Sequence, residues 1–324
     1  MSSGGFYVYK NLTLYQVSSA MKEEPKIIGP DGEALPDETP TTKRSAAREQ
    51  EEQHYMQVIL KRSDEVLRHP DDVLEHVIHE GKEQLNRPAI SLLFSAIAAG
   101  MILGFTVMAV AVVATALAPL GLDSLYRLGI AFAYPLGFVV CVMSRAQLFT
   151  EHTATAVYPI LDNQLPVHYM FRLWGIVLVG NLLGAFAIAN FLVAAEPVIQ
   201  ARDAYIGIAE HLVKQSFVPL FISAVLAGWL MALGGWLIYA TPHGVSQLIS
   251  IYIVTFIIGL GGLHHSIAGS VEIFTAHLFS NQFAYLDSLR FVCIAILGNL
   301  LGGSVFVALL NYAHIRHTQT HKER

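Results

Sequence analysis

Four long runs of the chain carry no charged residue and are strongly apolar. They cover residues 88–122, 173–195, 215–271 and 291–315. A helix needs about 20 apolar residues to cross a bilayer. The third run, with 57 residues, is therefore long enough for two crossings, and its Thr-Pro-His-Gly segment, Thr241–Gly244, suits the turn between them. This pattern predicts five membrane-spanning helices.

A sixth span is predicted, and both it and the fifth span are interrupted. Residues 128–144 are uncharged, but Arg145, Glu151 and His152 follow before the apolar sequence resumes. Residues 259–270 contain four glycines and two adjacent histidines. Irregular backbone at membrane depth is tolerated only where it is buried in protein or lines a cavity. We therefore predict six transmembrane helices, of which the second and fifth are broken.

Two pairs of short motifs recur in the same order along the chain. Ser95-Ala-Ile-Ala-Ala-Gly100 matches Ser223-Ala-Val-Leu-Ala-Gly228, and Gly180-Asn-Leu-Leu-Gly-Ala185 matches Gly298-Asn-Leu-Leu-Gly-Gly303. Each half would contain three spans, an odd number, so the halves must insert in opposite orientations. Inverted repeats with a broken helix in each half are typical of transporters and channels with a site near the midplane. The sequence thus predicts an all-α integral membrane fold made of two inverted three-helix repeats.

Charge divides the chain into segments. Residues 1–87 hold 27 of the 45 Lys, Arg, Asp and Glu residues. The whole chain is only 14% charged, against roughly 25% in soluble domains. This excludes a soluble globular enzyme, and the lack of a basic face excludes a nucleic-acid binder. We predict a cytoplasmic N-terminal extension at 1–87, a transmembrane transport domain at 88–312 and a cytoplasmic tail at 313–324.

The N-terminal extension has two kinds of sequence. Residues 18–42 contain four prolines among many charges and are predicted to be disordered. Residues 45–68 and 71–86 carry apolar residues at helical spacing. They predict amphipathic helices lying along the cytoplasmic membrane face or against a neighbouring protomer. Arg87 before the first span and the basic residues of the tail favour cytoplasmic placement of both termini.

The two breaks carry most of the polar groups at membrane depth. Backbone amides freed at a half-helix start attract anions, and a histidine there can hold or transfer a proton. His265 is therefore the candidate central residue, and Thr150 could donate its hydroxyl to a substrate or to His265. For Arg145 three roles stay open: attracting anions at the pore mouth, extending to the interface, or pairing with Glu151 or Glu272. The neighbouring His264 points elsewhere on a helix, which favours a structural or interfacial role.

These motifs resemble the formate/nitrite transporter family, and most of all its YfdC-type subgroup. The resemblance rests on Leu148-Phe149-Thr150 in the second span, His265-Ser266-Ile267-Ala268 in the fifth and Gly298-Asn299 in the sixth, and it covers about residues 85–312. It implies an aquaporin-like protomer assembled as a homopentamer, each protomer with its own pore. The family passes small monovalent anions of weak acids, such as formate, nitrite and short carboxylates.

By position, the resemblance makes His265 the central histidine and Thr150 its hydroxyl partner. It places Tyr134 and Ile258 at two constrictions. Gly228 and Gly269 stand where the family commonly has asparagine, so two amide donors are missing. The predicted substrate pathway consists of His265, Thr150, Leu148, Phe149, Tyr134, Ile258, Asn299 and Arg145.

These features predict a channel or proton-coupled carrier for small weak-acid anions in the bacterial inner membrane, in contact with lipid. Two alternatives stay open. The missing amide donors favour a pore for water or a small neutral solute, and the charged N-terminal segment would suit a membrane-anchored sensor or scaffold. The sequence has no phosphate loop, no Ser-His-Asp spacing and no metal-ligand spacing. We therefore expect no enzymatic activity, no cofactor, no metal site and no nucleic-acid partner.

Overall fold

The computed structural model describes residues 69–241 and 244–322. These residues form helices and connecting turns, with no strand among them. The segments predicted at 18–42 and 45–68 lie outside the described residues. In chain order the α-helices are α1 (Pro70–Asn86), α2 (Ala89–Leu117), α3 (Asp123–Ala133), α4 (Pro135–Met143), α5 (Phe149–Thr155), α6 (Tyr158–Leu161), α7 (His168–Ala194), α8 (Glu196–Ile199), α9 (Arg202–Val213), α10 (Phe217–Ala240), α11 (Val245–Gly261), α12 (Ser266–Phe279), α13 (Tyr285–Leu301) and α14 (Leu310–Lys322).

The helices supply six membrane spans, as predicted. Five are single helical stretches that are long and apolar enough to cross a bilayer: Ala89–Leu120, Asp123–Met143, His168–Ala194, Phe217–Ala240 and Tyr285–Thr318. The fifth span in chain order is the pair α11 and α12, which bend by 54° at the break between them. In the second span the helix ends at Met143, and α5 begins at Phe149 after an irregular turn. The two predicted breaks are thus confirmed.

Large apolar side chains cover much of the outer surface of the bundle. Phe94 is 68% exposed, Phe171 60% and Phe191 62%. Soluble monomers rarely expose contiguous apolar patches larger than a few hundred Å². This surface therefore faces lipid or neighbouring subunits.

The repeated motifs form two equivalent helix–helix contacts. Gly100 in the first span lies directly against the backbone of Asn181 in the third, with no room for a Cβ atom. Gly228 in the fourth span lies in the same way against the backbone of Asn299 in the sixth. Small residues allow such close backbone approach between membrane helices. This contact explains why no larger side chain stands at position 228.

Helix α1 packs onto the spans of its own chain. Its apolar stripe, Val73, Leu74, Val77 and Ile78, is buried in one cluster with side chains of the second, fourth and sixth spans. Gly81 lies so close to the carbonyl oxygen of Thr155 that a Cβ atom would overlap it. The amphipathic face predicted for residues 71–86 is therefore covered within the protomer.

A polar network joins α1, the turn after α6 and helix α14. Arg316 donates from Nη1 to Glu75 Oε1 at 2.8 Å and from Nη2 to Asp162 Oδ1 at 2.7 Å. The Tyr312 hydroxyl donates to the same oxygen of Asp162 at 3.0 Å. Burial acts to raise the pKa of Asp162, but hydrogen bonds from Gln164, Arg316 and Tyr312 outweigh it, so the pKa lies below its usual value. The network ties helix α14 to both α1 and the end of the second span.

Candidate functional site

The first break is held by the side chains of Asn181 and Ser95. Asn181 Oδ1 accepts the backbone N–H of Phe149 at 2.8 Å, and its Nδ2 donates to the carbonyl oxygens of Ala96 and Gln147, both at 2.8 Å. Ser95 Oγ accepts the N–H of Gln147 at 3.3 Å. Buried backbone groups outside regular helix need such partners. The two side chains therefore make the irregular turn tolerable at membrane depth.

The second break has the same arrangement. Asn299 Oδ1 accepts the N–H of Ser266 at 2.8 Å, and its Nδ2 donates to the carbonyl oxygens of Ala224 at 2.7 Å and His264 at 3.0 Å. Ser223 Oγ accepts the N–H of His264 at 3.1 Å. We call these two sets the serine–asparagine clamps. They correspond residue for residue, so the repeat found in the sequence extends to the hydrogen bonds that hold each break.

The clamps place Leu148 and His265 at equivalent positions. Each residue is the N-cap of the helix that follows its break. Their backbones are both extended, with φ −99° and ψ 128° at Leu148 and φ −93° and ψ 126° at His265. The two halves thus differ in chemistry at this position, one presenting an aliphatic side chain and the other an imidazole.

The imidazole of His265 is held in one tautomer. Its Nδ1 accepts the backbone N–H groups of Ile267 and Ala268, both at 3.2 Å. A nitrogen that accepts carries no hydrogen, so the neutral ring carries its hydrogen on Nε2. Nε2 lies 2.9 Å from Thr150 Oγ1. The structure therefore brings together His265 and Thr150, two of the predicted pathway residues, and makes His265 the donor.

Aromatic rings lead from Tyr134 to His265. Phe138 packs with its edge against the His265 ring at 4.9 Å between centroids, and it stacks with Tyr134 at 5.2 Å. Phe138 was missed in the sequence analysis, although its spacing of four residues from Tyr134 places both rings on one helix face. Ile258, across from this row, is completely buried. The Phe138 ring therefore packs against one side of the imidazole.

Two cavities lie along the same two helical segments, α3–α4 and α11. The larger has a volume of about 510 Å³ and its walls include Tyr134, Ile258 and His265. The smaller, about 10 Å³, is lined by Val142 on α4 and by Ile251, Val254 and Thr255 on α11, among others. A cavity of that size holds about one water molecule. Leu148, Phe149 and Thr150 are buried but line neither cavity, so the protein is closed in the region of His265.

Each cavity has one glutamate in its wall. Glu272 lines the larger cavity and Glu151 the smaller. Glu272 is 8% exposed, and its carboxyl makes no hydrogen bond or ion pair with the described residues. The sequence analysis considered it only as a partner for Arg145 and not as a pathway residue, although it follows His265 by seven residues, which is two helical turns. An ionisable group at membrane depth marks a functional position by default.

The other predicted site residues are placed differently. Arg145 is exposed in the turn of the first break, with a left-handed backbone of φ 56°, and lines neither cavity. Asn299 also lines neither cavity, because its amide is engaged in the clamp. Their places on the pathway stay predictions. His264, for which a structural role was favoured, lines the larger cavity. Among the described residues there is no group of three or more potential metal ligands.

Comparison with known proteins gives consistent results. Residues 71–313 match the family model for formate/nitrite transporters. The chain is 34% identical over 256 residues to the inner membrane protein YfdC of Escherichia coli strain K12, which covers 77% of this chain and 80% of YfdC.

Two solved structures share the fold. One is described as an FNT family ion channel, with a TM-score of 0.69 at 18% identity over 75% of this chain and 99% of that channel. The other is described as a pentameric formate channel with formate bound, with a TM-score of 0.59 at 19% identity over 70% of this chain and 97% of that channel.

Proposed function

Because this chain belongs to the formate/nitrite transporter family and is a multi-pass membrane channel or transporter for small anions, we propose that monovalent weak-acid anions pass between its two cavities by way of His265. The observation that carries the proposal is the His265–Thr150 hydrogen bond at the closed region beside both cavities. Formate, nitrite and short carboxylates are the proposed substrate class. The names of the relatives favour neither a neutral-solute pore nor a sensor.

We propose that His265 acts on the substrate as a neutral hydrogen-bond donor. Stripping water from an anion in apolar surroundings is costly unless other donors replace it. The Nε2–H of His265 and the hydroxyl of Thr150 can supply two such donors when the substrate separates them. A second proton, on Nδ1, would turn this acceptor into a donor. It would then face the N–H groups of Ile267 and Ala268, and both hydrogen bonds would be lost. This geometry favours a neutral ring over an imidazolium.

A proton accompanying the anion would then be held elsewhere on the pathway. The Glu272 carboxyl lines the larger cavity and has no partner among the described residues. As a carboxylate it would repel an anion in the same cavity, and a proton shared between Glu272 and the substrate removes that repulsion. We propose that the substrate passes the larger cavity together with this proton, which is the behaviour of a weak acid.

The solved pentameric neighbour supports assembly of this chain as a homopentamer, in which part of the exposed apolar surface is covered by adjacent protomers and the rest by lipid. The relative described as an inner membrane protein supports the same location here. Arg87 and Arg316, at the two ends of the bundle sequence, support cytoplasmic termini. The family relationship supports transport without enzymatic activity.

The proposal is tested by flux through the purified protein in liposomes. Uptake of formate, nitrite, acetate and lactate is measured at several pH values, with glycerol-driven swelling as the neutral-solute assay. His265→Asn is expected to reduce anion uptake at least tenfold, while His168→Asn, at an exposed position on α7, serves as the matched control. Unchanged pH-dependent uptake in His265→Asn would contradict the role of the ring. Swelling without anion uptake in the wild type would instead support a neutral-solute pore.

A further inference from the structure

His264 has a buried nitrogen that its surroundings leave unused. The side chain is 6% exposed and lines the larger cavity. Its Nε2 atom is buried and has no hydrogen-bond partner among the described residues. Leaving a buried polar atom without a hydrogen-bond partner destabilises the folded protein. Such an atom in the wall of a substrate cavity indicates a hydrogen-bond partner that binds there transiently.

Ser223 fixes which hydrogen His264 presents. Ser223 Oγ lies 2.7 Å from His264 Nδ1 and also accepts the backbone N–H of His264. Ser250, Ser270 and Ser304 each donate to the carbonyl four residues earlier, whereas the Ser223 hydroxyl makes no such bond. Its hydrogen is therefore directed to Nδ1, which accepts. The neutral ring then carries its own hydrogen on Nε2.

The ring of His264 is packed into the wall of the cavity, where its Nε2 atom is buried. The His264 ring meets Phe291 edge to face, with 5.7 Å between centroids. Gly269 makes room for Phe291, because a Cβ atom there would lie 2.6 Å from the Phe291 ring. The Phe291 ring thus occupies the space that a side chain at position 269 would need. His264 supplies a hydrogen-bond donor in this wall, where position 269 has none.

We propose that His264 is a further substrate-binding residue, whose Nε2–H donates to an oxygen of the weak-acid anion in the larger cavity before the substrate reaches His265. This inference rests on the proposed transport function and deepens it. The other ionisable groups in the cavity wall are Asp123, Tyr126, Arg127, Tyr134, His211, His265 and Glu272. The donor acts as a neutral group, so no change in the charge of these neighbours is required. Two adjacent histidines would then present Nε2–H groups at successive points of the path.

The proposal is tested by a matched pair of variants. In His264→Asn, the amide oxygen can still accept from Ser223 near the former position of Nδ1, but the distant donor is lost. In His264→Gln, the amide nitrogen can supply a donor near the former position of Nε2. Formate uptake into liposomes is measured over a range of concentrations, and pentamer retention by gel filtration and the melting temperature report folding.

His264→Asn is expected to raise the half-saturating formate concentration about tenfold, which corresponds to about 1.4 kcal/mol, with a maximal rate within twofold of the wild type. His264→Gln should stay within threefold of the wild type in both quantities. A folded His264→Asn with an unchanged half-saturating concentration would overturn the inference. Absence of uptake in the wild type for every anion would instead contradict the proposed function itself.

A second measurement covers the case in which His264→Asn does not fold. The wild type is labelled with ¹⁵N-histidine and studied by NMR. The Nε2–H resonance of His264 is assigned as the one that is absent from the spectrum of His264→Gln. Titration with sodium formate is expected to shift this resonance saturably, and titration with sodium chloride is not. A resonance that stays in place up to saturating formate would also overturn the inference.

Discussion

Replacing Asn299 by alanine is expected to destabilise the protein and to stop transport, because this side chain holds the second break. Asn299 is completely buried and makes three hydrogen bonds to the backbone. Without it, the N–H of Ser266 and the carbonyl of His264 lose their partner. Ala224 lies within α10, so its carbonyl keeps its place in the helical hydrogen-bond pattern.

The loss of folding free energy follows from the two buried backbone groups that are left without a hydrogen-bond partner. Each buried, unsatisfied group costs about 1–3 kcal/mol, so the pair costs about 2–6 kcal/mol. For a domain of about 150–250 residues, the size range of the transmembrane domain, each kcal/mol lowers the melting temperature by about 2–4 °C, giving a decrease of about 4–24 °C. Transport should fall at least tenfold, because loss of the clamp frees the segment that positions His265.

The melting temperature is measured on the detergent-solubilised protein by tryptophan fluorescence, and formate uptake is measured in liposomes. Asn181→Ala, the equivalent change in the first clamp, should lower the melting temperature by a similar amount. Asn190→Ala is the control, since this exposed side chain bonds only to the carbonyl of Phe186 in its own helix. A melting temperature for Asn299→Ala within 2 °C of the Asn190→Ala value would refute the reasoning.

Three further changes test other parts of the molecule. Thr150→Val, which removes the hydroxyl bonded to the central histidine, should lower formate uptake at least tenfold, whereas Thr150→Ser should stay within threefold; equal uptake by both variants would exclude a role for the hydroxyl. Gly81→Ala should lower the melting temperature, because its Cβ overlaps the carbonyl of Thr155, while Gly207→Ala, with open space around it, should not; equal melting temperatures would show that α1 adjusts freely. Asp162→Asn should lower the melting temperature at pH 7. Because the pKa of Asp162 is depressed in the folded state, the stability it contributes is complete above the unfolded value of about 4 and is lost as the pH falls through the folded value. The difference between wild type and variant should therefore disappear at low pH, and a difference that persists there would contradict the ion-pair argument.

The sequence was sufficient for the spans, the breaks and the repeat, because each depends on local composition. Charges within an apolar run indicated the first break, in the second span, and clustered glycines indicated the second break, in the fifth span. The motifs around Asn181 and Asn299 indicated a duplication, but not that both amides bind the backbone of a break. That role depends on which helix face meets the neighbouring loop, and spacing along one helix does not specify it.

The site was predicted in part. His265 and Thr150 were identified from motifs 115 residues apart, and they share a hydrogen bond. Phe138 and Glu272 follow Tyr134 and His265 at helical spacings that place them on the same faces, yet in an apolar span many residues share such spacings. His264 does point away from its neighbour, as expected. Its place in the wall of a cavity depends on how several helices pack together, which spacing along one helix does not specify.

The equivalence of Leu148 and His265 bears on how such a molecule evolves. A duplicated three-helix segment begins with two identical caps, and its clamps must be kept in both copies because either break fails without them. The caps are under no such shared constraint, so one copy is free to acquire a reactive side chain while the other stays inert. Duplication followed by a change at one N-cap therefore gives a protein whose two halves share one backbone arrangement but carry different chemistry at the two breaks.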